Sequence, residues 1–103
     1  MTPATRSLLR RVNPEVLARA AEIIKLLGHP DRLKIVEVLE AGEATVSDIQ
    51  RKVGLGQAIV SQHLAKLRGA DVVSARREGV HVHYQLTESK VPHILQCIRT
   101  CDM

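Results

Sequence analysis

The stretch Gly54–Ser74, GLGQAIVSQHLAKLRGADVVS, decides how the rest of this chain is read. From Ala58 onward Val60, Leu64 and Leu67 fall on one helical face, which leaves Gln57, Ser61, Gln62, His63 and Lys66 on the other face or beside it. The segment before it, Thr45–Val53, has Val46, Ile49 and Val53 at helical spacing and is closed by Gly54. Two helices joined by a short glycine-containing turn, the second presenting Gln, Ser and His, have the helix-turn-helix layout, whose second helix enters a major groove. Two amphipathic helices of a small bundle would show the same spacing, so the flanking segments carry weight.

Beyond this helix the chain is β-rich. Val72–Arg77 and Val80–Leu86 read as strands joined at Glu78-Gly79, a hairpin turn with Arg76 and Arg77 beside it. In the second strand Val80, Val82, Tyr84 and Leu86 alternate with His81, His83 and Gln85, which predicts that the first set packs on the helices. The pattern is that of a wing.

Upstream, Asn13-Pro14-Glu15 supplies an N-cap, a proline at the first helical position and an acid in the first turn. Leu17, Ala20, Ala21, Ile24 and Leu27 then follow at core spacing up to Gly28. Pro30 opens a second helix with Leu33, Val36 and Leu39, which ends at Ala41-Gly42. At the other end Val91, Ile94, Ile98 and Cys101 form a helical stripe with Leu95 beside it and Pro92 in the first turn. The expected fold is therefore mainly α with a small β-hairpin, a winged helix-turn-helix of order α-α-α-α-β-β-α. Residues 1–12 read as a basic arm, and residues 13–103 as one domain. A core this short is thin, so a dimer built on the terminal helices would add stability and two-fold symmetry.

The segment GEATVSDIQRKVGLGQAIVSQHLAKLRGADVVSARREGVHVHYQL resembles the winged-helix core of the ArsR/SmtB family of bacterial metal- and metalloid-responsive repressors. The earlier LLGHPDRLKIVEVL is similar to that family's second helix, and the likeness covers about residues 15–100. The resemblance implies a homodimer bound to a palindromic operator in double-stranded DNA, which it leaves when a ligand or oxidant arrives.

Charge agrees with a polyanionic partner. The chain carries a formal +4, and between residues 51 and 77 Arg51, Lys52, Lys66, Arg68, Arg76 and Arg77 face the single acid Asp71. For base readout the residues chosen are Gln57, Ser61, Gln62 and His63, because Gln pairs bidentately with adenine and Ser or His reaches other base edges. Lys66, Arg68, Arg76 and Arg77 are assigned to phosphates or, at the wing, to the minor groove. No Ser/His/acid set, phosphate loop or paired carboxylates occur at useful spacing, so an enzyme is not expected. The rival is a winged-helix protein-interaction module that binds no DNA. No run approaches the roughly 20 apolar residues of a membrane span and the N-terminus lacks a signal-peptide pattern, so a cytoplasmic protein is expected.

The only cysteines, Cys97 and Cys101, lie one turn apart in the last helix, so both thiols are expected on nearly the same face. Thiolates are soft ligands, and this pair suits arsenite or another thiophilic metal or metalloid ion. His93 extends the row to His93, Cys97 and Cys101 at i, i+4, i+8, a three-ligand alternative from one protomer. No other cofactor is expected. Family members that sense zinc at this helix use two ligands near its start and two near its end; the resemblance maps the first pair onto Glu88 and Lys90 and the third onto Cys101, with the fourth past Met103. Lysine is a poor zinc ligand. The family's other site needs cysteines where this chain has Val46-Ser47-Asp48. Redox or reactive-sulfur sensing competes: a disulfide within one helix is awkward, because parallel Cβ vectors hold the sulfurs apart, but a bridge between subunits is open. Structural cysteines in a repressor without an inducer are the third reading.

Overall fold

A computed structural model describes residues 11–101. The elements run α1 (Pro14–Leu27), α2 (Pro30–Glu40), β1 (Ala44–Thr45), α3 (Val46–Val53), α4 (Gln57–Gly69), β2 (Val73–Glu78), β3 (His81–Leu86) and α5 (Lys90–Thr100). The fold is the expected winged helix-turn-helix, with one strand more than the sequence predicted. Most of the basic arm lies outside the described residues.

The helix starts follow local chemistry. Asn13 Oδ1 accepts from the Glu15 N–H at 2.7 Å, and Pro14 stands at the first helical position of α1. At α3, Thr45 and Asp48 close a capping box: Thr45 Oγ1 accepts from Asp48 N–H and Asp48 Oδ2 from Thr45 N–H, each at 3.2 Å. Gly54 stops α3 in the left-handed region at φ 71°, where a side chain would be strained.

The core is aliphatic. Ile23, Ile35, Val36, Ile49, Val60, Leu64, Leu67, Val72 and Val91 are fully buried, joined by Leu27, Leu39 and Leu95. It lies under α4, between the helices and the sheet, and each such side chain contributes roughly 1.5–3 kcal/mol over an exposed one.

The sheet order is β1-β3-β2, antiparallel throughout. β2 and β3 pair from Val73↔Leu86 to Glu78↔His81, leaving Gly79-Val80 as the turn, with Gly79 at φ 63°. β1 pairs Ala44↔Tyr84 and Thr45↔His83 and so ties the start of the helix-turn-helix to the wing. Two residues carry no periodicity, which is why this strand is silent in the sequence.

Three expectations are corrected. On α1 the buried residues are Ile23 and Leu27, whereas Leu17 is 54% and Ile24 60% exposed. The helix rests on its neighbours along one edge, and of the stripe read as core Leu17, Ala21 and Ile24 face outward while Leu27 is buried. On α5 Val91 and Leu95 are buried and Ile94 packs beside them, but Ile98 is 40% exposed and Cys101 lies past the helix end, also exposed. Val80, expected inward, is 90% exposed because it sits in the turn, where strand alternation no longer applies.

Candidate nucleic-acid interface and the cysteine end

Along α4 the burial of Val60, Leu64 and Leu67 fixes the helix by its underside and leaves Gln57, Ser61, Gln62, Lys66 and Arg68 exposed. These are five of the expected contacts. His63 lies apart from them: its side chain is 12% exposed and turned to the start of α2. Its Nδ1 accepts from Arg32 Nε at 3.2 Å, and its ring meets His29 edge-on, with centroids 4.7 Å apart. Arg32 also donates through Nη1 to the Leu26 carbonyl at 3.1 Å, so one guanidinium links the end of α1, α2 and the recognition helix. Burial, followed by the charges of His29 and Arg32, holds the His63 imidazole below the ordinary histidine pKa. His63 therefore braces α4 in this structure, where the sequence placed it at the base edges. The signal that could have found this lies in the lead-in to α2, His29-Pro30-Asp31-Arg32, which is rich in polar groups that need partners.

The wing projects beside α4. Arg77 is exposed, and no ion pair engages it among the described residues. Arg76 is held between two carboxylates, with Nη1 2.6 Å from Glu78 Oε2 and Nη2 2.9 Å from Glu43 Oε2. The hydrogen bond from Arg76 holds the Glu78 carboxyl below its usual range. Arg76 thus meets a phosphate only in competition with its own acids. His81 is exposed and His83 half-buried.

At the cysteine end both thiols are free and exposed. Cys97 is in α5, but Cys101 caps the helix with extended backbone, φ −79° and ψ 126°, and its N–H donates to the Cys97 carbonyl at 3.0 Å. That hydrogen bond and the near-helical φ hold the Cys101 Cβ one turn beyond Cys97, the spacing the sequence implies. Arg99 pairs with Glu40 and approaches Glu37 of α2 and so is committed away from the thiols. His93 is exposed and lines an apolar hollow of about 260 Å³ between α1 and α5, with Ala20, Ile23, Ile24, Lys90 and Ile94. It is not gathered with the cysteines: among the described residues the one three-ligand group is His29, Asp31 and His63. Glu88, at the family's first zinc-ligand position, accepts from Arg19 at 3.0 Å and from the Lys90 N–H at 3.2 Å, which occupies both of its oxygens.

This arrangement of a polar helix face beside a basic wing can be set against known proteins. The profile described as bacterial regulatory protein, arsR family, matches residues 29–75, which span α2 to the start of β2. The biofilm growth-associated repressor of Xylella fastidiosa is 35% identical over 101 residues, covering 97% of this chain and 89% of that protein. The chain belongs to the ArsR family. Its relatives are transcriptional repressors and not enzymes; the repressor PagR of Bacillus anthracis is 39% identical over 79 residues, covering 76% of this chain and 79% of PagR. Among solved structures, the repressor BigR of Xylella fastidiosa superposes with a TM-score of 0.75 at 32% identity, covering 90% of this ArsR-family chain and 100% of that one. Reduced HlyU from Vibrio cholerae gives 0.77 at 29% identity, covering 85% and 95%. This family member is thus a DNA-binding transcriptional repressor in class, and no helix among its described residues is long and apolar enough to cross a membrane.

Proposed function

We propose that this chain is a homodimeric repressor that reads a palindromic operator through Gln57, Ser61 and Gln62 and is released by a thiol-directed signal at Cys97 and Cys101. The observation that carries the DNA part is the polar outer face of α4, fixed from below by fully buried Val60, Leu64 and Leu67 and flanked by an arginine-bearing wing. Lys66, Arg68 and Arg77 neutralise phosphates, and Arg76 joins them once it parts from Glu43 and Glu78.

The dimer rests on what α1 and α5 leave uncovered. Val16, Leu17, Ile24 and Ile98 are between 40% and 60% exposed, an apolar strip that a second copy would bury while setting two recognition helices about one axis. Cys97 and Cys101 end the same helix, so an ion such as arsenite on the thiolates, or their oxidation, acts on that interface. The oxidative reading gains from the exposure of both thiols and from the likeness to HlyU, whose reduced state is among the similar structures.

The test is a fluorescence-anisotropy titration of reduced protein on its own upstream promoter fragment, with and without arsenite or a polysulfide, for the wild type and Cys97→Ser. Release by one agent, abolished in the variant, is the expected result and names the trigger class. Binding that persists under both agents removes the thiol trigger, and no binding at all removes the operator reading.

A further inference from the structure

His29, Asp31 and His63 meet where the start of α2 touches the recognition helix, apart from the cysteines, with Lys66 of the phosphate-binding set close to His63. Each offers one ligand atom, and these atoms lie within 4.8 Å of one another. His63 Nε2 is 3.9 Å from Asp31 Oδ2. Ligands around a tetrahedral ion with bonds of about 2.1 Å stand roughly 3.4 Å apart, so closing the set asks for side-chain shifts on the order of 1 Å. We propose that His29, Asp31 and His63 form a site for one divalent transition-metal ion of the zinc, nickel or cobalt class, spanning α2 and α4.

The donor set selects the ion. Two imidazoles and one carboxylate suit borderline first-row dications; magnesium and calcium want oxygen donors, and arsenite wants thiolates. Asp31 is 27% exposed at its side chain, which leaves the rim open for a water ligand.

The hydrogen bonds decide what binding does. His29 Nδ1 accepts from the Asp31 N–H at 3.1 Å, and His63 Nδ1 accepts from Arg32 Nε at 3.2 Å. Each neutral ring therefore carries its proton on Nε2, the nitrogen left for a metal. A metal at Nε2 moves that proton to Nδ1 with no change in proton count. There it faces a donor, so both hydrogen bonds must break. Binding is thereby coupled to loss of the α2 cap and of Arg32's hold on α4. Arg32 and Lys66, both near His63, and the positive end of α2 oppose a dication, with Asp31 the one carboxylate in the set against them. The site is a responsive one: the core is complete without an ion.

Cobalt(II) is the probe, titrated into a Cys97→Ser/Cys101→Ser variant so that no thiolate competes, with the visible d–d bands as readout. The expected result is a saturable band at one equivalent without thiolate charge transfer, lost in His63→Gln and in His29→Gln. Asp31→Asn should weaken it by at least the roughly tenfold that even an outer-sphere partner contributes. Circular dichroism checks each fold; if His63→Gln does not fold, His29→Gln and Asp31→Asn decide. No saturable band, or a band unchanged in His29→Gln and Asp31→Asn, overturns the site. The absorption is read without DNA, so its failure leaves the operator reading standing, and a failed operator assay leaves the metal site standing.

Discussion

The two ends of this molecule solve burial differently. The recognition helix α4 is secured within its own chain: Val60, Leu64 and Leu67 are fully buried, His63 is tied to Arg32, and the wing is pinned through β1 to the start of α3. The α1 and α5 pair is only half secured, with Ile23, Leu27, Val91 and Leu95 inside and Leu17, Ile24, Ile98 and both cysteines outside. One chain suffices to shape the outer face of α4, whereas the terminal helices leave large apolar side chains exposed, the surface on which a second copy is proposed to pack. The proposed signal at the terminal helices would act on the part of the chain whose apolar surface is least covered.

The comparison breaks most visibly in stability. Leu64→Ala opens a cavity under α4 and should cost about 2–5 kcal/mol, read as a lowered midpoint in urea. The pair Leu17→Ser with Ile24→Ser should leave the helical circular dichroism of the chain intact and turn a dimer into a monomer in sedimentation. A monomeric wild type would contradict the second half of the comparison.

Next in size is DNA readout. Gln62→Ala should weaken binding to the operator by about 1–3 kcal/mol and leave random DNA almost unaffected. Arg77→Ala should weaken both alike and lower the salt slope by about one. Equal losses on both DNAs for Gln62→Ala would remove it from base readout. Thr45→Ala, which deletes one arm of the capping box at the β1–α3 junction, should cost about 1 kcal/mol of stability.

The His63 brace gives a pH dependence of known sign. Its folded pKa is lowered by burial, so its neutral form stabilises the fold above the ordinary histidine value of about 6.5, and that contribution is lost as pH falls through the folded value. The thermal midpoint should hold steady from about pH 8 to about pH 7 and drop below it, less steeply in His63→Gln. The smallest effect belongs to Glu43→Gln, which frees one side of Arg76 and should tighten binding to any DNA slightly, most at low salt. Weaker binding in that variant would show that the Glu43 pair aims Arg76 and does not withhold it.

Much of the DNA-facing half was legible from residues alone. Spacing of Val46, Ile49 and Val53, the stop at Gly54 and the stripe Val60, Leu64 and Leu67 fix two helices and their turn, and the structure buries that second stripe. Periodicity separates the faces of a helix, but it does not say whether the apolar face meets this chain or another. That is why Leu17 and Ile24 were read as core and stand in solvent. His63 was misplaced for a related reason: at the flank of a helix, a polar residue goes outward or inward according to the partner it finds, and Arg32 stands 31 residues away. The ends of elements were least legible, as with Cys101 past the last turn and Val80 in the hairpin turn.

The most direct test of the central assignment, that the outer face of α4 reads DNA, is an anisotropy titration of the reduced wild-type protein on its own upstream promoter fragment against a scrambled fragment of the same length, at two salt concentrations. Saturable binding that prefers the native fragment by roughly a thousandfold or more, and that weakens with salt on both, is the result predicted. Equal affinity for the two fragments, or no binding to either in the reduced protein, would contradict it.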